Sequence, residues 1–392
     1  MQQNIWLTPE GIEDLLPPQA ARLEAHRRNL LDEFTAAGYA LVLPPIAEFT
    51  DSLLTGTGRK LALDTCRFTD NESGRMMGVR ADMTPQVARI VSNRLKPNAG
   101  VITRLCYVGE VLKSRNNKAK GSRSPIQVGA ELFGHQGIAS DIEMIDLMLA
   151  AAKQLGFVHV SLSLGHVGVV QRLMDLAKLN TANQDALVDI LKRKALPEYQ
   201  AWLANQTLSE SLTSAFASLI TLVGSASSVL GLASKSLDSL DSELDQCLAD
   251  LQFVVDYFAG VQGVDIHLDL ADLRGFQYHT GLIFACYQAD VSSILIAKGG
   301  RYDRVCSAFG ADYPATGFSI DLRNLIDNLV DEPLEAAPIY SVFNASSAWL
   351  DQVNQLKANG HTVIRAYQDS DIPAGANQLI AQGADWVIKI KE

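Results

Sequence analysis

Two apolar runs, Val101–Val111 and Ile126–Phe133, flank a polar loop, Lys113–Ser124. Strands joined by a short loop pair antiparallel, because a parallel crossover needs room for an intervening helix. Val264–Leu270, Leu282–Tyr287, Ile294–Ala297 and Thr316–Ile320 read as further strands. The sequence therefore predicts an α+β main body on an antiparallel sheet flanked by helices, not a doubly wound parallel one.

The helices fit between these strands. Pro17 and Pro18 open a helical pattern over Gln19–Ala37, and Gly38 stops it. Tyr39–Leu43 reads as a strand ending at Pro44 and Pro45, Met76–Arg80 as a strand and Pro85–Arg94 as a helix. Ser140-Asp-Ile-Glu143 reads as a capping box ahead of an amphipathic run, Met144–Leu155, with Gly156 as its stop. A strand over His159–Leu164 and helices over Val167–Ala177 and near Leu322–Val330 follow. From about Thr181 to Phe258 the chain is rich in Leu, Ala and Ser at helical period. This predicts an all-helical, core-packing insertion, with polar outer faces over Ser209–Ser242. Two prolines and three acids in Asp331–Pro338 mark a domain boundary, giving a main domain over 1–330 and a unit over 339–392. That unit reads as a small α/β domain: strand Ile339–Phe343, helix Ala348–Asn359, strand Thr362–Arg365, helix Ala374–Gln382 and strand Trp386–Ile390.

Composition narrows the function. A chain of 392 residues with 47% hydrophobic and 20% charged residues can bury two or three cores. Its 44 acids against 33 bases give a net charge of -11, which counts weakly against a nucleic-acid partner. The densest basic stretch is the Lys113–Ser124 loop, with Lys113, Arg115, Lys118, Lys120 and Arg123. The five cysteines form no CxxC pair and no zinc spacing, so free thiols in a reducing compartment and no metal are expected. The start, Met1–Gly11, has no signal-peptide pattern, and no apolar run is long enough for a membrane. A cytoplasmic chain is expected.

Several segments, in order, resemble the histidyl-tRNA synthetase family. Gly11-Ile-Glu-Asp-Leu-Leu-Pro17 with Gly38-Tyr39 and Pro44-Pro45 looks like the class II motif at the synthetase dimer interface. Arg80-Ala-Asp-Met-Thr84 is similar to the strand end that holds the amino acid's ammonium group. Tyr107-Val-Gly-Glu110 through Gln127-Val-Gly-Ala-Glu-Leu-Phe-Gly134 resembles the motif 2 hairpin. Leu273-Arg-Gly-Phe-Gln-Tyr-His-Thr-Gly281 is similar to the family's histidine-specific signature, and Gly299-Gly-Arg-Tyr-Asp303 and Pro314-Ala-Thr-Gly-Phe318 lead into motif 3. The resemblance covers about residues 8 to 330 and implies a class II synthetase-like fold, a homodimer and a pocket for free histidine. In that pocket Asp82 and Thr84 would meet the ammonium, Arg274 the carboxylate, and Gln127 and Glu131 the imidazole and ammonium. Tyr278 and His279 would line the side-chain slot. Each residue also has a plain structural reading, Glu131 or Arg274 as half of an ion pair and Tyr278 as core. Gln127 and Glu131, four apart on one strand, share a face.

The departures from the family pattern matter as much. The motif 2 arginine falls on Lys113, which keeps the charge but loses the bidentate fork, and the glutamate after it becomes Arg115. Both are accessory at most. In Gly317-Phe-Ser-Ile-Asp-Leu-Arg-Asn-Leu325 the motif 3 arginine, glutamate and inner glycine become Asn324, Arg323 and Asp321. Adenylation should be lost. After the linker about 55 residues remain, too few for an anticodon-binding domain, so no tRNA partner is expected. A histidine pocket without adenylation resembles the non-catalytic branch of the family that regulates the short form of ATP phosphoribosyltransferase. The resemblance implies a hetero-octamer with that enzyme's short catalytic subunit, no cofactor, activation of the enzyme and feedback inhibition by L-histidine. A working histidyl-tRNA synthetase is the alternative, and a synthetase-like module for another macromolecule or substrate is a third.

Overall fold

The structure, a computed structural model, describes residues 7–56, 59–115, 122–237, 239–276, 278–289, 294–329, 337–383 and 385–389. Lys118, Lys120 and most of the 331–338 linker lie outside these. The chain forms two compact units, 1–329 and 330–392, each taken by itself below. Among the described residues no helix is long and apolar enough to cross a membrane.

Among the described residues the first unit holds twelve strands: β1 (Ala40–Leu41), β2 (Ala47–Phe49), β3 (Cys66–Thr69), β4 (Met76–Val79), β5 (Thr103–Glu110), β6 (Ile126–Phe133), β7 (Val160–His166), β8 (Val223–Ser225), β9 (Val264–Asp269), β10 (Leu282–Gln288), β11 (Leu295–Arg301) and β12 (Ala315–Asp321). Nine make one sheet in the order β1-β5-β6-β12-β11-β10-β7-β9-β8. Its middle, β5 through β7, is antiparallel throughout, as expected from the short loops. Only β1 with β5 and β7 with β9 run parallel. A three-stranded sheet, β2-β4-β3, delivers the chain into helix Thr84–Ile90 and a π-helical turn, Val91–Leu95.

Helices Gln19–Ala36 and Ile138–Gln154 cover the sheet. The first buries Leu23, Leu30 and Phe34, one side of an amphipathic pattern. Phe34 meets Phe318 of β12 edge-on at 5.7 Å, within the favoured range for a buried aromatic pair. The helix stops where Gly38 takes a left-handed φ of 87°.

Two expectations need correction here. The capping box is not formed: the helix starts at Ile138, after Gly137 as N-cap, and Ser140 and Asp141 sit in its first turn, buried. Both side chains serve the buried Arg301 instead, whose charge-assisted bonds outweigh a neutral cap. The insertion is also not all helix. Helices Thr181–Arg193, Leu196–Ala204, Glu210–Leu219, Ala226–Ser236 and Ser242–Phe258 are joined by β8, which pairs antiparallel with β9 and ties the insertion into the main sheet. Tyr199, Trp202 and Phe216 interlock in its interior, with ring centroids 6.1 and 5.7 Å apart.

The second unit contains β13 (Ile339–Val342), β14 (Val363–Ala366), β15 (Asn377–Gln382), β16 (Asp385–Lys389) and helix Ser347–Ala358. The sheet order is β14-β13-β15-β16. The helix expected over Ala374–Gln382 is thus a strand, parallel to β13 and antiparallel to β16. Gly375 and Gly383, at φ 82° and 69°, bracket it as turn residues, and six residues between two such turns suit a strand better than a helix. Trp349 is buried and its indole N–H donates to Ser341 Oγ at 2.8 Å.

Candidate functional site

The site lies where the small sheet, helix Thr84–Ile90 and strands β5, β6 and β12 converge. Glu131, on β6, is 1% exposed. Its Oε1 accepts hydrogen bonds from Thr84 Oγ1 at 2.7 Å and Tyr107 Oη at 3.1 Å, and its Oε2 accepts one from Tyr302 Oη. Burial pushes the Glu131 carboxyl up to about 8, and the three hydroxyls only partly oppose this.

Backbone geometry makes room for this carboxylate. Gly317, paired with Glu131 across β6 and β12, would place a Cβ 1.6 Å from Oε2. Gly129, opposite Tyr107 across β5 and β6, would place one 2.5 Å from the Tyr107 hydroxyl. Both positions must stay glycine for the side chains to cross over the strand.

The neighbouring residues extend the cluster. Gln127 accepts from the backbone N–H of Met83 at 2.9 Å and donates to Asp82 Oδ1 at 3.2 Å. Asp82 Oδ1 also accepts from the N–H of Thr84 at 3.0 Å. Asp82, Thr84, Gln127 and Glu131 therefore meet in one network. Tyr278 leans over it, its ring 5.0 Å from that of Tyr302, and its buried hydroxyl has no partner among the described residues. His279 packs edge-on against Tyr278 at 5.4 Å, and burial holds its imidazole at about 4, so it is neutral. Nδ1 faces the carbonyl of Arg301 at 3.2 Å and so must be the protonated nitrogen.

Arg274 stands apart. Its Nε donates to Asp272 Oδ2 at 2.5 Å, and its other nitrogens reach Tyr287 Oη at 2.6 Å and Ser163 Oγ at 3.3 Å. The fork expected to hold a free carboxylate is already engaged by Asp272. Lys113 is bound through its backbone, bridging to Thr65 and accepting from Arg123 Nε at 3.0 Å. Arg115 pairs loosely with Asp64 at 3.7 Å.

Tyr107 and Tyr302 received no role from the sequence, although both lie inside quoted motifs. The role of Tyr107 follows from strand register, which sets it opposite Gly129, two residues before Glu131 on β6. The altered motif 3 residues turn on themselves. Asp321 Oδ2 accepts from Asn324 Nδ2 at 2.5 Å, and Arg323 donates to the Glu13 carbonyl at 2.6 Å. Among the described residues no group of three His, Cys, Asp or Glu side chains gathers as a metal site.

The chain matches the family model described as histidyl-tRNA synthetase over residues 11–325. It is 54% identical over 393 residues to the ATP phosphoribosyltransferase regulatory subunit of Hydrogenovibrio crunogenus, covering 100% of both chains. It is 44% identical to the same subunit of Thioalkalivibrio sulfidiphilus, covering 98% of each. Among solved structures, an ATP phosphoribosyltransferase regulatory subunit/histidyl-tRNA synthetase from Bacillus halodurans superposes with a TM-score of 0.81 at 25% identity, over 95% of this chain and 96% of that one. A histidyl-tRNA synthetase from Nostoc sp. PCC 7120 shares the fold, with a TM-score of 0.74 at 16% identity over 93% of this chain and 86% of that one. Such identity along the whole length, on a class II synthetase-like framework, places this chain in the family of ATP phosphoribosyltransferase regulatory subunits.

Proposed function

We propose that the chain is the histidine-sensing, non-catalytic subunit of ATP phosphoribosyltransferase in the cytoplasm, with free L-histidine bound at the Glu131 cluster. The observation that carries this reading is Glu131 itself: a buried carboxylate surrounded by hydroxyls, beside a Tyr278 hydroxyl with no partner among the described residues. Buried polar groups left short of partners point to a ligand that supplies them. An ammonium or imidazole N–H would satisfy Glu131 and Asp82, and a ring nitrogen would meet Tyr278. A site of this kind rejects analogues that lack those donors, because its own groups would stay unpaired.

The chain partners the short catalytic subunit, as a homodimer built through the synthetase-like unit and joined into a hetero-octamer. It activates that enzyme and carries feedback inhibition by histidine in the first step of histidine biosynthesis. Histidine acts by binding the inhibited assembly more tightly than the active one. Adenylation is disfavoured because Asn324 and Arg323 are held by Asp321 and Glu13 rather than presented to a nucleotide, and no tRNA role is assigned. Arg274, held by Asp272, is assigned no ligand contact.

The test is to mix the purified chain with the short catalytic subunit and titrate histidine. The expected result is co-elution, raised phosphoribosyl transfer, its inhibition by histidine, and no histidine-dependent ATP–pyrophosphate exchange. Robust exchange would instead restore the synthetase reading.

A further inference from the structure

A groove of about 560 Å³ has walls that include Ser92, Asn93, Lys96, Phe309, Asp312 and Tyr313. That volume lies in the range of small-molecule sites, roughly 300–1,000 Å³. The lining is unlike a simple surface dent. It contains a π-helical turn, Val91–Leu95, a feature often found at functional positions. Lys96 follows in the left-handed region at φ 45°, uncommon for a residue with a side chain. Lys96 and Asp312 bring one charge of each sign from different chain segments, and Phe309 and Tyr313 supply a flat apolar wall.

The groove is also physically continuous with the Glu131 cluster. Phe309 and Tyr313 pack on the same buried apolar group that contains Tyr107 and Tyr302, and Tyr278 packs on it too. Cys306, four residues beyond Tyr302, belongs to the same buried group as Val91, the first residue of the π-turn. Thr84, which bonds Glu131, begins the helix whose π-turn ends in the groove.

We infer that this groove is a second ligand site, for a zwitterionic amino acid with a flat side chain, and that its occupation tightens ligand binding at the Glu131 cluster. Asp312 takes the ammonium, Lys96 the carboxylate, and Phe309 and Tyr313 the ring. A ligand bridging Lys96 and Asp312 straps the end of the Thr84–Leu95 stretch to the segment after Tyr302. The strap holds Thr84 and Tyr302 in the arrangement in which they bond Glu131, which lowers the entropy cost of binding there. Only the coupling rests on the histidine reading; binding in the groove does not.

The probe is L-phenylalanine, titrated calorimetrically into the full chain, with phenylacetate and phenethylamine as single-charge controls. Saturable millimolar binding of L-phenylalanine is expected, weakened about tenfold by Asp312→Asn and by Lys96→Met, because each removes one charge-assisted contact. Both side chains are exposed, so neither change threatens the fold. Amide exchange over Thr84–Leu95 should slow when L-phenylalanine is bound. Histidine affinity should rise about fivefold, and L-phenylalanine affinity should rise by the same factor with histidine present, since linkage is reciprocal. No saturation by about 20 mM, equal binding of the controls, or indifference to both substitutions would overturn the site. Binding with unchanged amide exchange and unchanged histidine affinity would overturn the coupling. If histidine fails to bind at all while L-phenylalanine binds and slows exchange, the histidine reading falls and the groove stands.

Discussion

Two buried carboxylates in the same unit have been solved differently. Asp141 is 2% exposed and faces Arg301, whose guanidinium donates to Asp141, Asp303, Ser140 and the carbonyls of His135 and Gly137. Glu131 is 1% exposed and meets hydroxyls from Thr84, Tyr107 and Tyr302. Burial raises both carboxyls, but at Asp141 a cation pulls back, while at Glu131 only neutral donors do. The first is an ion pair held through Oδ2, while Oδ1 finds no hydrogen-bond partner among the described residues. The second meets neutral donors, and on the proposed reading it is the ligand that brings the positive charge.

The largest effect should come from breaking the Asp141–Arg301 ion pair. Arg301→Met leaves Asp141 buried beside Asp303 with no counter-charge, a loss of about 3–5 kcal/mol for one partner of a buried ion pair. Urea unfolding would show it as a large drop in midpoint. A drop no larger than that of a surface arginine would mean the pair holds nothing.

Glu131→Gln should do the reverse to fold and function. Histidine affinity should fall about a hundredfold, the size of a lost charge-assisted contact of nearly 3 kcal/mol. Stability near pH 8 should hold or rise, because an uncompensated buried acid is gone. Loss of folding together with binding would make Glu131 a structural residue like Asp141.

A titration separates them by slope. The unfolded Glu131 carboxyl ionises near 4.5, while the folded one keeps its proton to about 8. Below 4.5 both states are protonated and the group costs nothing. As pH rises from 4.5 towards 8 the unfolded state releases the proton first, so the native state loses about 1.4 kcal/mol per unit, and nothing further above 8. The difference in stability between wild type and Glu131→Gln, followed from pH 5 to 8, should show that slope. Histidine, by placing a cation beside Glu131, should release a proton on binding at pH 7, read as calorimetric heats that vary with buffer.

The hydroxyls come next. Tyr107→Phe and Tyr302→Phe each remove one neutral donor, worth about 1 kcal/mol, and should weaken histidine roughly fivefold. An unchanged affinity in both would leave the carboxylate without its supporting shell.

How much of this was readable beforehand follows from the range over which each feature is determined. Strand β6 was legible to the residue, because Ile126–Phe133 is a run bounded by a polar loop and Gly134. That Asp82, Thr84, Gln127 and Glu131 meet in one network was legible because motif order placed them and strand period put two on one face. Tyr107 and Tyr302 were not, since their roles depend on register: Tyr107 opposite Gly129, and Tyr302 just after β11. Ser140 and Asp141 were misread because the local rule for a cap competes with a guanidinium that arrives 160 residues later in the chain. Strand β15 was misread because its apolar residues fit either period, and only pairing with β13 and β16 decides between them.

Arg274 gives the smallest expected effect and the sharpest distinction. The motif suggests a fork for a ligand carboxylate, whereas the structure shows that fork held by Asp272, Tyr287 and Ser163. Lysine at this position keeps the charge beside Asp272 but cannot grip a carboxylate with two parallel bonds. If Arg274 is a structural partner, as Arg301 is, Arg274→Lys should shift histidine affinity by less than about threefold, under 1 kcal/mol. If the fork exchanges Asp272 for the ligand on binding, the same change should cost about tenfold or more, because a bidentate contact is lost. Measuring that single affinity assigns Arg274 either to the ion pairs of the fold or to the proposed histidine site.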